Sequence, residues 1–319
     1  MTPAKRIVVV GSVNMDLVCR TPRIPKSGET ILGENLITVP GGKGANQATA
    51  AARLADDQTD VYLIARVGED DFGERLLNGL TQSKVRTEHV VITEGVSSGC
   101  AMILVDHKGE NSIVVAPGAN AKLSPADVDR AEEVIAGASA VLMQLEVPIE
   151  TVRHTIEVCC RHGVFTILDP APVPPLGLQR ELLEVDVLTP NQGEAELLLG
   201  RRRTHKVTTK KLDDPKLIAG ELMSLGSRAV AFKLGSKGAL AIGNDGEFLK
   251  IRPHKVEVSD TTAAGDAFAG ALAVGHAEQM SFADTVRFAN AAGAASCMQF
   301  GAQPSLPSRD AVMKLLGSV

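Results

Sequence analysis

The segment of residues 260–270, DTTAAGDAFAG, contains the residue types best suited to catalysis. It leads into residues 267–277, whose Ala-, Leu- and Val-rich composition predicts a buried helix. The small residues Ala263, Ala264 and Gly265 allow a tight turn with exposed N–H groups. Those groups, with the first N–H groups and the dipole of the helix, attract an anion such as a phosphoryl group. The segment therefore predicts an anion hole.

Asp266 stands where this helix begins, and two interpretations of it are open. Asp is common at helix starts, where it caps backbone N–H groups and stabilises the helix by about 1 kcal/mol. The same carboxylate could instead act as a general base that takes a proton from an attacking hydroxyl, while the N–H groups hold the transferred charge. The segment alone favours the cap, and the motifs in the rest of the chain favour the base.

Composition excludes several classes of function. The chain has 319 residues, enough for one large α/β domain or two smaller ones. A net charge of −5 gives no electrostatic case for binding nucleic acid or a membrane surface. The basic run at residues 201–206, with Lys210 and Lys211 close behind, is interpreted as a solvated connection because the chain around it is acidic. Without Trp, and with one Tyr, a stacking platform for single-stranded nucleic acid is not expected.

The cysteines and the chain start favour a cytosolic protein. Cys19, Cys100, Cys159, Cys160 and Cys297 are odd in number, are scattered and lack the spacing of a metal site. They are interpreted as reduced thiols, with one of the adjacent pair packed and the other exposed. The first six residues are too short for a signal peptide, and no apolar run has the length of a membrane helix.

Periodicity predicts an α/β fold. Apolar runs predict strands over residues 6–10, 61–67, 140–145, 165–169, 185–189 and 229–234, and an alternating segment predicts another over 255–259. Helical patterns end near residues 54 and 82 and extend over residues 125–136, 149–162, 192–199 and 215–225. Helices that alternate with apolar strands predict a doubly wound, mostly parallel sheet, whose ligands gather at the carboxyl ends of the strands. Short strands in residues 17–40 and a hairpin of residues 100–105 and 111–115 could form a small separate sheet.

Polar residues follow several of these strands. Asn14 and Asp16 lie on one face after the first strand, Glu146 and Asp169 end two others, and residues 233–238 form a glycine-containing turn after another. Any one of them could be a helix cap or a surface turn. Together they predict a line of ligand contacts along one edge of the sheet.

Asn191 and Glu194 are three residues apart at a predicted helix start. They can be a capping pair, or their oxygens can hold a hydrated Mg²⁺ beside phosphates. Residues 40–48, PGGKGANQA, open another helix and fit neither a Walker P-loop nor the dinucleotide fingerprint. That turn lets backbone approach a ligand, with Lys43 and Asn46 facing it.

These motifs occur in the order typical of one enzyme family. From the first strand to about Pro307, the chain resembles the ribokinase-like (PfkB) carbohydrate kinases. The motifs that carry the resemblance are residues 11–16 (GSVNMD), 41–47 (GGKGANQ), 144–146 (QLE), 191–194 (NQGE), 260–266 (DTTAAGD) and 301–305 (GAQPS). The resemblance implies a single domain over residues 1–319, with lid strands inserted at about 15–40 and 98–118.

The resemblance also implies Mg·ATP-dependent phosphorylation of the ribose 5-hydroxyl, in the cytoplasm. Asp266 would be the base, with the anion hole at Ala263, Ala264 and Gly265. The sugar hydroxyls would be bound by Asn14, Asp16, Gly42, Lys43, Asn46 and Glu146. ATP and its Mg²⁺ would be contacted by Asn191, Glu194, Lys233, Leu234, Gly235, Ser236, Lys237, Gly238, Gly265 and Asn290. A K⁺ activator would be held by Asp260, Thr262, Ser296, Gln299, Gly301 and Ser305, several of them through backbone carbonyls. The two lid segments would form the contact of a homodimer.

Two positions depart from the family pattern. Ala263 replaces the first Gly of the commonest anion-hole motif, which costs little if its φ is negative. Lys233 stands where relatives usually have Thr, and it could reach an ATP phosphate or change the nucleotide preference. The alternatives that remain are a related kinase for deoxyribose, adenosine or pseudouridine, and a non-catalytic sugar-binding protein. The absence of aromatic residues from the predicted lid strands argues against adenosine, and the retained Asp266 argues against a binding protein.

Overall fold

The structure, a computed structural model, describes residues 5–200 and 214–317. The basic run predicted to be a solvated connection lies outside these residues. The strands are β1 (Lys5–Val10), β2 (Asn14–Arg20), β3 (Leu36–Gly41), β4 (Thr59–Gly68), β5 (Val85–Arg86), β6 (Val90–Thr93), β7 (Gly99–Val105), β8 (Asn111–Ala116), β9 (Ala140–Met143), β10 (Phe165–Leu168), β11 (Val187–Leu188), β12 (Ala229–Lys233), β13 (Ala239–Ile242) and β14 (Phe248–Ile251).

The helices lie mostly between these strands. They are α1 (Lys43–Leu54), α2 (Asp71–Gln82), α3 (Pro125–Arg130), α4 (Glu132–Ala136), α5 (Ile149–His162), α6 (Gln192–Leu198), α7 (Pro215–Ser224), α8 (Ala264–Ala277), α9 (Phe282–Ser296), α10 (Ala302–Ser305) and α11 (Arg309–Leu316). Short 3₁₀ turns span Gly118–Lys122, Arg180–Leu183 and Gly235–Lys237. Within the described parts of the chain, no helix has the length and apolar character needed to cross a membrane.

A large sheet forms the centre of the fold. Its order is β14-β13-β12-β11-β10-β9-β1-β4-β5, with β6 also paired to β4. Pairing is parallel from β12 to β5 and antiparallel between β12, β13 and β14. The predicted doubly wound, mostly parallel α/β fold is confirmed.

Helices cover both faces of this sheet, which explains the continuous apolar runs in its strands. Ile7 and Val9 of β1 face one core, which contains residues of α1, α8 and α9. Val8 and Val10 face a second core, which contains residues of α3 to α7. Adjacent residues of a strand point to opposite faces, so a strand buried on both sides must be apolar at every position.

A separate four-stranded sheet has the order β3-β2-β7-β8. The predicted hairpin is present as β7 and β8, and β2 joins it through parallel pairing with β7. β2 begins at Asn14, four residues after the end of β1, and β3 ends at Gly41, two residues before α1 begins. The small sheet is therefore continuous with the edge of the large sheet where the predicted site lies.

Three elements differ from their sequence-based predictions. The helix predicted over 125–136 is broken at Ala131, which has the non-helical ψ of 9° and joins α3 to α4. The strand predicted over 185–189 is shorter than expected and consists only of β11, Val187–Leu188. The strand predicted over 255–259 is wrong: Val258 is exposed, and Ser259 N–H donates to the Cys297 carbonyl instead of to a strand partner. Alternation of apolar and polar residues indicates a strand only where a sheet edge is available to pair with it.

Helices α1 and α8 approach each other closely at Gly270. A Cβ atom added there would lie 2.9 Å from both the Ala50 Cβ and the Gln47 carbonyl oxygen, and 3.0 Å from the Ala51 nitrogen. Two of these neighbours are backbone atoms, which cannot rotate away. The contact fixes the distance between the two helices near their middles.

We expect Gly270→Ala to lower the free energy of unfolding by about 1–3 kcal/mol, because it overpacks this contact. Gly79→Ala in α2 is the matched control, since a Cβ there meets nothing within 4 Å. The control should raise the free energy of unfolding by roughly 0.5–1 kcal/mol through helix propensity. Urea unfolding of both variants measures the difference, and equal stabilisation by the two substitutions would contradict the close approach.

Candidate active site

The site forms where the carboxyl ends of the parallel strands meet the first turns of α1 and α8. Strand register aligns Val10 with Met143, Met143 with Leu168, and Leu168 with Leu188. Residues that follow these positions therefore come to one edge of the sheet. This is where ligands bind in open α/β sheets.

Asp266 lies in the first turn of α8, but its side chain does not cap that helix. Its Oδ2 accepts a hydrogen bond from Asn46 Nδ2 at 2.9 Å, and its Oδ1 accepts one from Gln47 Nε2 at 3.0 Å. Both amides belong to residues near the N terminus of α1. The carboxylate is thus oriented by a second helix, as a reacting group needs and a cap does not.

The environment of Asp266 changes its acidity. The side chain is 4% exposed, and burial raises its pKa to about 6. The Lys43 ammonium and the two amide hydrogen bonds oppose this rise, whereas the Asp169 charge adds to it. A carboxyl group with this pKa can accept a proton at neutral pH and is a stronger base than an ordinary aspartate.

The start of α8 offers N–H donors beside this carboxylate. Ala263 is the N-cap residue and has a φ of −102°, so its methyl group causes no backbone strain, as expected. Ala264 N–H donates to the Thr261 carbonyl at 3.3 Å. Helical geometry leaves the next two N–H groups, of Gly265 and Asp266, without an intrahelical acceptor. Of the predicted donors, the Ala264 N–H is therefore already engaged, whereas the N–H groups of Gly265 and Asp266 are available to an anion.

Asn14 and Asp16 point into the site from the start of β2. Asn14 Oδ1 accepts a hydrogen bond from Asn120 Nδ2 at 2.7 Å, and Asn120 Oδ1 accepts one from Val13 N–H at 2.8 Å. Asp16 is 9% exposed, and burial raises its pKa to about 7, with further rises from the charges of Glu146 and Asp266. When it is ionised, the Asp16 carboxylate needs a partner that donates hydrogen bonds, as a hydroxyl does.

Glu146 is fixed by the loop that follows β1 and by the first residue of α1. Its Oε2 accepts from the Ser12 hydroxyl at 2.6 Å and from the Lys43 backbone N–H at 3.1 Å. Gly42 makes the turn before α1 possible, because its φ is 88° and a Cβ there would lie 2.6 Å from the Asn14 nitrogen. The predicted sugar-binding residues are thus held together by backbone as well as by side chains.

Charge in the site is dominated by carboxylates. Burial lowers the pKa of Lys43, but the charges of Asp266, Asp169, Glu146 and Glu194 raise it above its ordinary value. The ammonium therefore stays protonated. Asn46 adds an acceptor, because it is 5% exposed and its Oδ1 has no hydrogen-bond partner in the described part of the chain. A neutral ligand with several hydroxyl groups fits such a set of acceptors.

The predicted nucleotide turn follows β12. Lys233 N–H donates to the Pro190 carbonyl at 2.9 Å, and Lys233 forms a parallel bridge with Asn191. Asn191 and Glu194 form a capping box, and burial raises the pKa of Glu194. The turn closes through a hydrogen bond from Leu234 N–H to the Gly238 carbonyl at 2.9 Å. Its exposed residues are Gly235, Ser236 and Lys237.

Asn290 lies on α9, where its amide nitrogen donates to the Arg252 carbonyl at 3.0 Å. That contact ties α9 to the chain just after β14. No side-chain hydrogen bond among the described residues connects Asn290 to Asp266, so its contact with a nucleotide stays a prediction.

The residues predicted to hold a monovalent cation come together in part. Asp260 accepts from Thr262 N–H at 3.0 Å, the Thr262 hydroxyl at 2.6 Å and Gly301 N–H at 3.0 Å. Burial raises the pKa of Asp260, but these hydrogen bonds together lower it by more than burial raises it, so the net shift of the pKa is downward. The hydroxyls of Ser296 and Ser305 donate to carbonyls within their own helices, and Gln299 is exposed.

These donors are carboxylate, hydroxyl and carbonyl oxygens, which suit a hard cation such as K⁺. In the described residues, no group of three or more His, Cys, Asp or Glu could hold a metal ion. Any cation at this loop would therefore depend on oxygens other than those of a carboxylate cluster.

Three residues that orient the site were not predicted to belong to it. Ser12 holds Glu146, Asn120 holds Asn14, and Gln47 connects Asp266 to Asp169 through its Nε2 at 3.0 and 2.9 Å. Asp169 was predicted as one of the ligand contacts at the strand ends, without a role of its own. Gln47 and Ser12 lie inside the glycine-containing motifs, which could have signalled them. Asn120 lies in a 3₁₀ turn far along the chain, and no local pattern marks it.

The site combines a buried carboxylate beside a helix N terminus with several carboxylate and amide oxygens that can accept hydrogen bonds from hydroxyl groups. This combination suits phosphoryl transfer to a small molecule that carries hydroxyl groups. Comparisons with known proteins agree with this class. Residues 4–309 match the family described as pfkB family carbohydrate kinase. The chain belongs to this family.

Individual relatives are similar over almost their whole length. The ribokinase of Bacillus subtilis is 39% identical over 312 residues, which are 98% of this chain and 99% of the relative. A deoxyribokinase of Salmonella typhi is 35% identical over 307 residues, 95% of each chain. The structure of Arabidopsis thaliana ribokinase complexed with ribose and ATP has 33% identity and a TM-score of 0.87, covering 98% of this chain and 99% of that one.

The raised pKa of Asp16 predicts a pH-dependent stability. The folded protein keeps the Asp16 proton to about pH 7, whereas an ordinary Asp loses it near 3.8. Between these values the folded state binds more protons than the unfolded state, so stability from this group falls as pH rises. Asp16→Asn stays neutral, and its free energy of unfolding relative to wild type should increase by up to about 4 kcal/mol from pH 4 to pH 7.

Urea unfolding at intervals across this pH range measures the effect. Asp284→Asn is the control, because Asp284 is an exposed residue whose pKa is lowered by hydrogen bonds from Ser281 and Arg287. Its difference from wild type should stay constant above pH 5. A constant difference for Asp16→Asn as well would show that Asp16 titrates as an ordinary carboxyl group.

Proposed function

We propose that the protein transfers the terminal phosphoryl group of ATP to the 5-hydroxyl of D-ribose, giving ribose 5-phosphate and ADP. The observation that carries this proposal is the Asp266 carboxylate, held by Asn46 and Gln47 at the N terminus of α8. It stands in a chain 39% identical to the Bacillus subtilis ribokinase over almost the full length of both proteins. A binding protein would need neither a buried base nor an anion hole.

We assign the sugar subsite to Asn14, Asp16, Gly42, Lys43, Asn46 and Glu146. Asp16, Glu146 and the free Oδ1 of Asn46 supply acceptors for sugar hydroxyls. The Lys43 ammonium supplies donors. An unmatched buried acceptor costs roughly 1–3 kcal/mol, so these groups select a ligand with hydroxyls at matching positions.

The chemical step follows from the position of Asp266. The carboxylate takes the proton of the 5-hydroxyl as the sugar oxygen forms a bond to the terminal phosphorus and the bond between that phosphorus and ADP breaks. The N–H groups at the start of α8, of which those of Gly265 and Asp266 have no intrahelical acceptor, hold the charge of the moving phosphoryl group. Since the base must be ionised and its pKa is about 6, turnover should fall as pH decreases through that value.

We propose that the nucleotide lies along Asn191, the turn of residues 233–238 and Asn290. Mg²⁺ would neutralise the phosphate charge and position the terminal phosphoryl group. Glu194 suits a hydrated Mg²⁺ because it is a partly buried carboxylate at the same strand edge. A K⁺ ion at the loop of Asp260, Thr262, Ser296, Gln299, Gly301 and Ser305 would stabilise the start of α8 as an activator.

We also propose that the small sheet closes over the sugar as a lid in a single-domain enzyme and forms the contact of a homodimer. Its apolar residues Leu36, Met102, Ile113, Val114 and Val115 are each more than 45% exposed, which is unusual for adjacent strands of a monomer. A monomeric mass in sedimentation equilibrium would exclude the dimer. The five free cysteines suit the reducing cytosol.

Asp266→Asn tests the base directly. The amide cannot accept the proton, so turnover should fall by at least ~100-fold with near-normal sugar affinity. The structure also predicts that Asp16→Ala, as a companion variant, mainly weakens sugar binding. Steady-state kinetics and calorimetric titration with ribose separate the two effects, and near-wild-type turnover of Asp266→Asn would remove Asp266 from the chemistry.

The substrate is tested by following ADP release from Mg·ATP with ribose, deoxyribose, fructose, adenosine and pseudouridine, each in K⁺ and in Na⁺. We expect turnover on ribose that is faster in K⁺. Turnover on another acceptor would support the same mechanism but would show that ribose is not the preferred substrate. No turnover on any acceptor would favour the sugar-binding protein, and indifference to K⁺ would count against the cation loop.

A further inference from the structure

The ammonium of Lys233 lies at the opening of the predicted anion hole. Lys233 is the last residue of β12, and its backbone pairing with Pro190 directs the side chain to the edge of the sheet where the site forms. A Cβ atom built on Gly265 would lie 3.5 Å from Lys233 Nζ. An anion that accepts a hydrogen bond from the Gly265 N–H is therefore within reach of this ammonium.

Two carboxylates hold the ammonium in this position. Lys233 Nζ is 2.6 Å from Asp169 Oδ1 and 3.9 Å from Glu194 Oε2, and the Lys233 side chain is 13% exposed. Asp169 is 1% exposed, and its other oxygen accepts from Gln47 Nε2 at 2.9 Å. Lys233 therefore cannot move far without leaving a buried carboxylate unpaired, which is strongly destabilising. An ammonium has three N–H donors, so pairing with Asp169 leaves donors for a ligand.

We propose that Lys233 is a catalytic residue whose ammonium, positioned by Asp169, contacts the terminal phosphoryl group during its transfer. This inference rests on the proposed kinase function. The ammonium donates hydrogen bonds to the phosphoryl oxygens, while the proton of the sugar hydroxyl goes to Asp266. Transfer spreads negative charge over the phosphoryl oxygens, and a fixed cation stabilises that charge without reorganisation.

The simpler interpretation is that Lys233 only neutralises Asp169. If neutralising Asp169 were the only role of Lys233, there would be no reason for the ion pair to lie beside the first turn of α8. The two roles make different predictions when both partners are neutralised together. If the ammonium serves only Asp169, removal of both charges should restore function. If the ammonium serves the phosphoryl group, removal of both charges should leave the defect.

The experiment compares Lys233→Met, Asp169→Asn and the double variant. The double variant avoids an unpaired buried carboxylate, and thermal unfolding checks that it folds. Affinities for Mg·AMP-PNP and Mg·ADP are measured by calorimetry, because these two nucleotides differ in the terminal phosphoryl group. Steady-state kinetics with ribose and Mg·ATP give kcat for each variant.

In the double variant we expect Mg·AMP-PNP affinity to fall at least ~10-fold, Mg·ADP affinity to change less than about threefold, and kcat to fall at least ~100-fold. Asp169→Asn keeps the ammonium, and the preference for Mg·AMP-PNP over Mg·ADP should survive in it. Recovery of wild-type kcat in the double variant, or equal losses for both nucleotides, would overturn the role of Lys233. Failure of the wild type itself to phosphorylate any sugar would instead overturn the proposed function.

Discussion

The contact on which this structure depends is the pair of hydrogen bonds from Asn46 and Gln47 to the Asp266 carboxylate. These bonds join residues near the N termini of α1 and α8, two helices that begin at the same edge of the sheet. The close approach at Gly270 sets the distance between those helices. A buried carboxylate without such donors would be strongly disfavoured in its ionised form, so the two amides make an ionised Asp266 compatible with burial.

The balance of charge gives the site its second property. Asp16, Glu146, Asp169, Glu194 and Asp266 outnumber the ammonium groups of Lys43 and Lys233 in the same region. This excess explains why the pKa values of Asp16 and Asp266 are raised by both burial and neighbouring carboxylates. Protonation and ligand binding are therefore linked, because hydroxyl donors, an ammonium or a proton can each satisfy the same carboxylates.

Much of the fold was predictable because its signals are local. Apolar runs located β1, β4 and β12, and the motif glycines located the turns before α1 and α8. Asn14, Asp16, Glu146 and Asp266 could be predicted as candidate site residues because each belongs to a short motif at a strand or helix end. The contacts made by Gln47, Asn120 and Asp169 could not be assigned from the sequence, since they join residues about 100 or more positions apart. The strand predicted over 255–259 is wrong for the same reason. Its alternating pattern is local, whereas strand pairing depends on residues far away in the sequence.

The central claim is that burial between α1 and α8 makes Asp266 a base with a pKa of about 6. The most direct measurement is a ¹³C NMR titration of the aspartate carboxyl carbons in the ligand-free protein. Asp266→Asn assigns the signal by its disappearance. The structure predicts that this signal titrates near pH 6. Titration near 3.8, the ordinary value for Asp, would contradict the account, because the carboxylate would then be solvated and too weak a base for the proposed transfer.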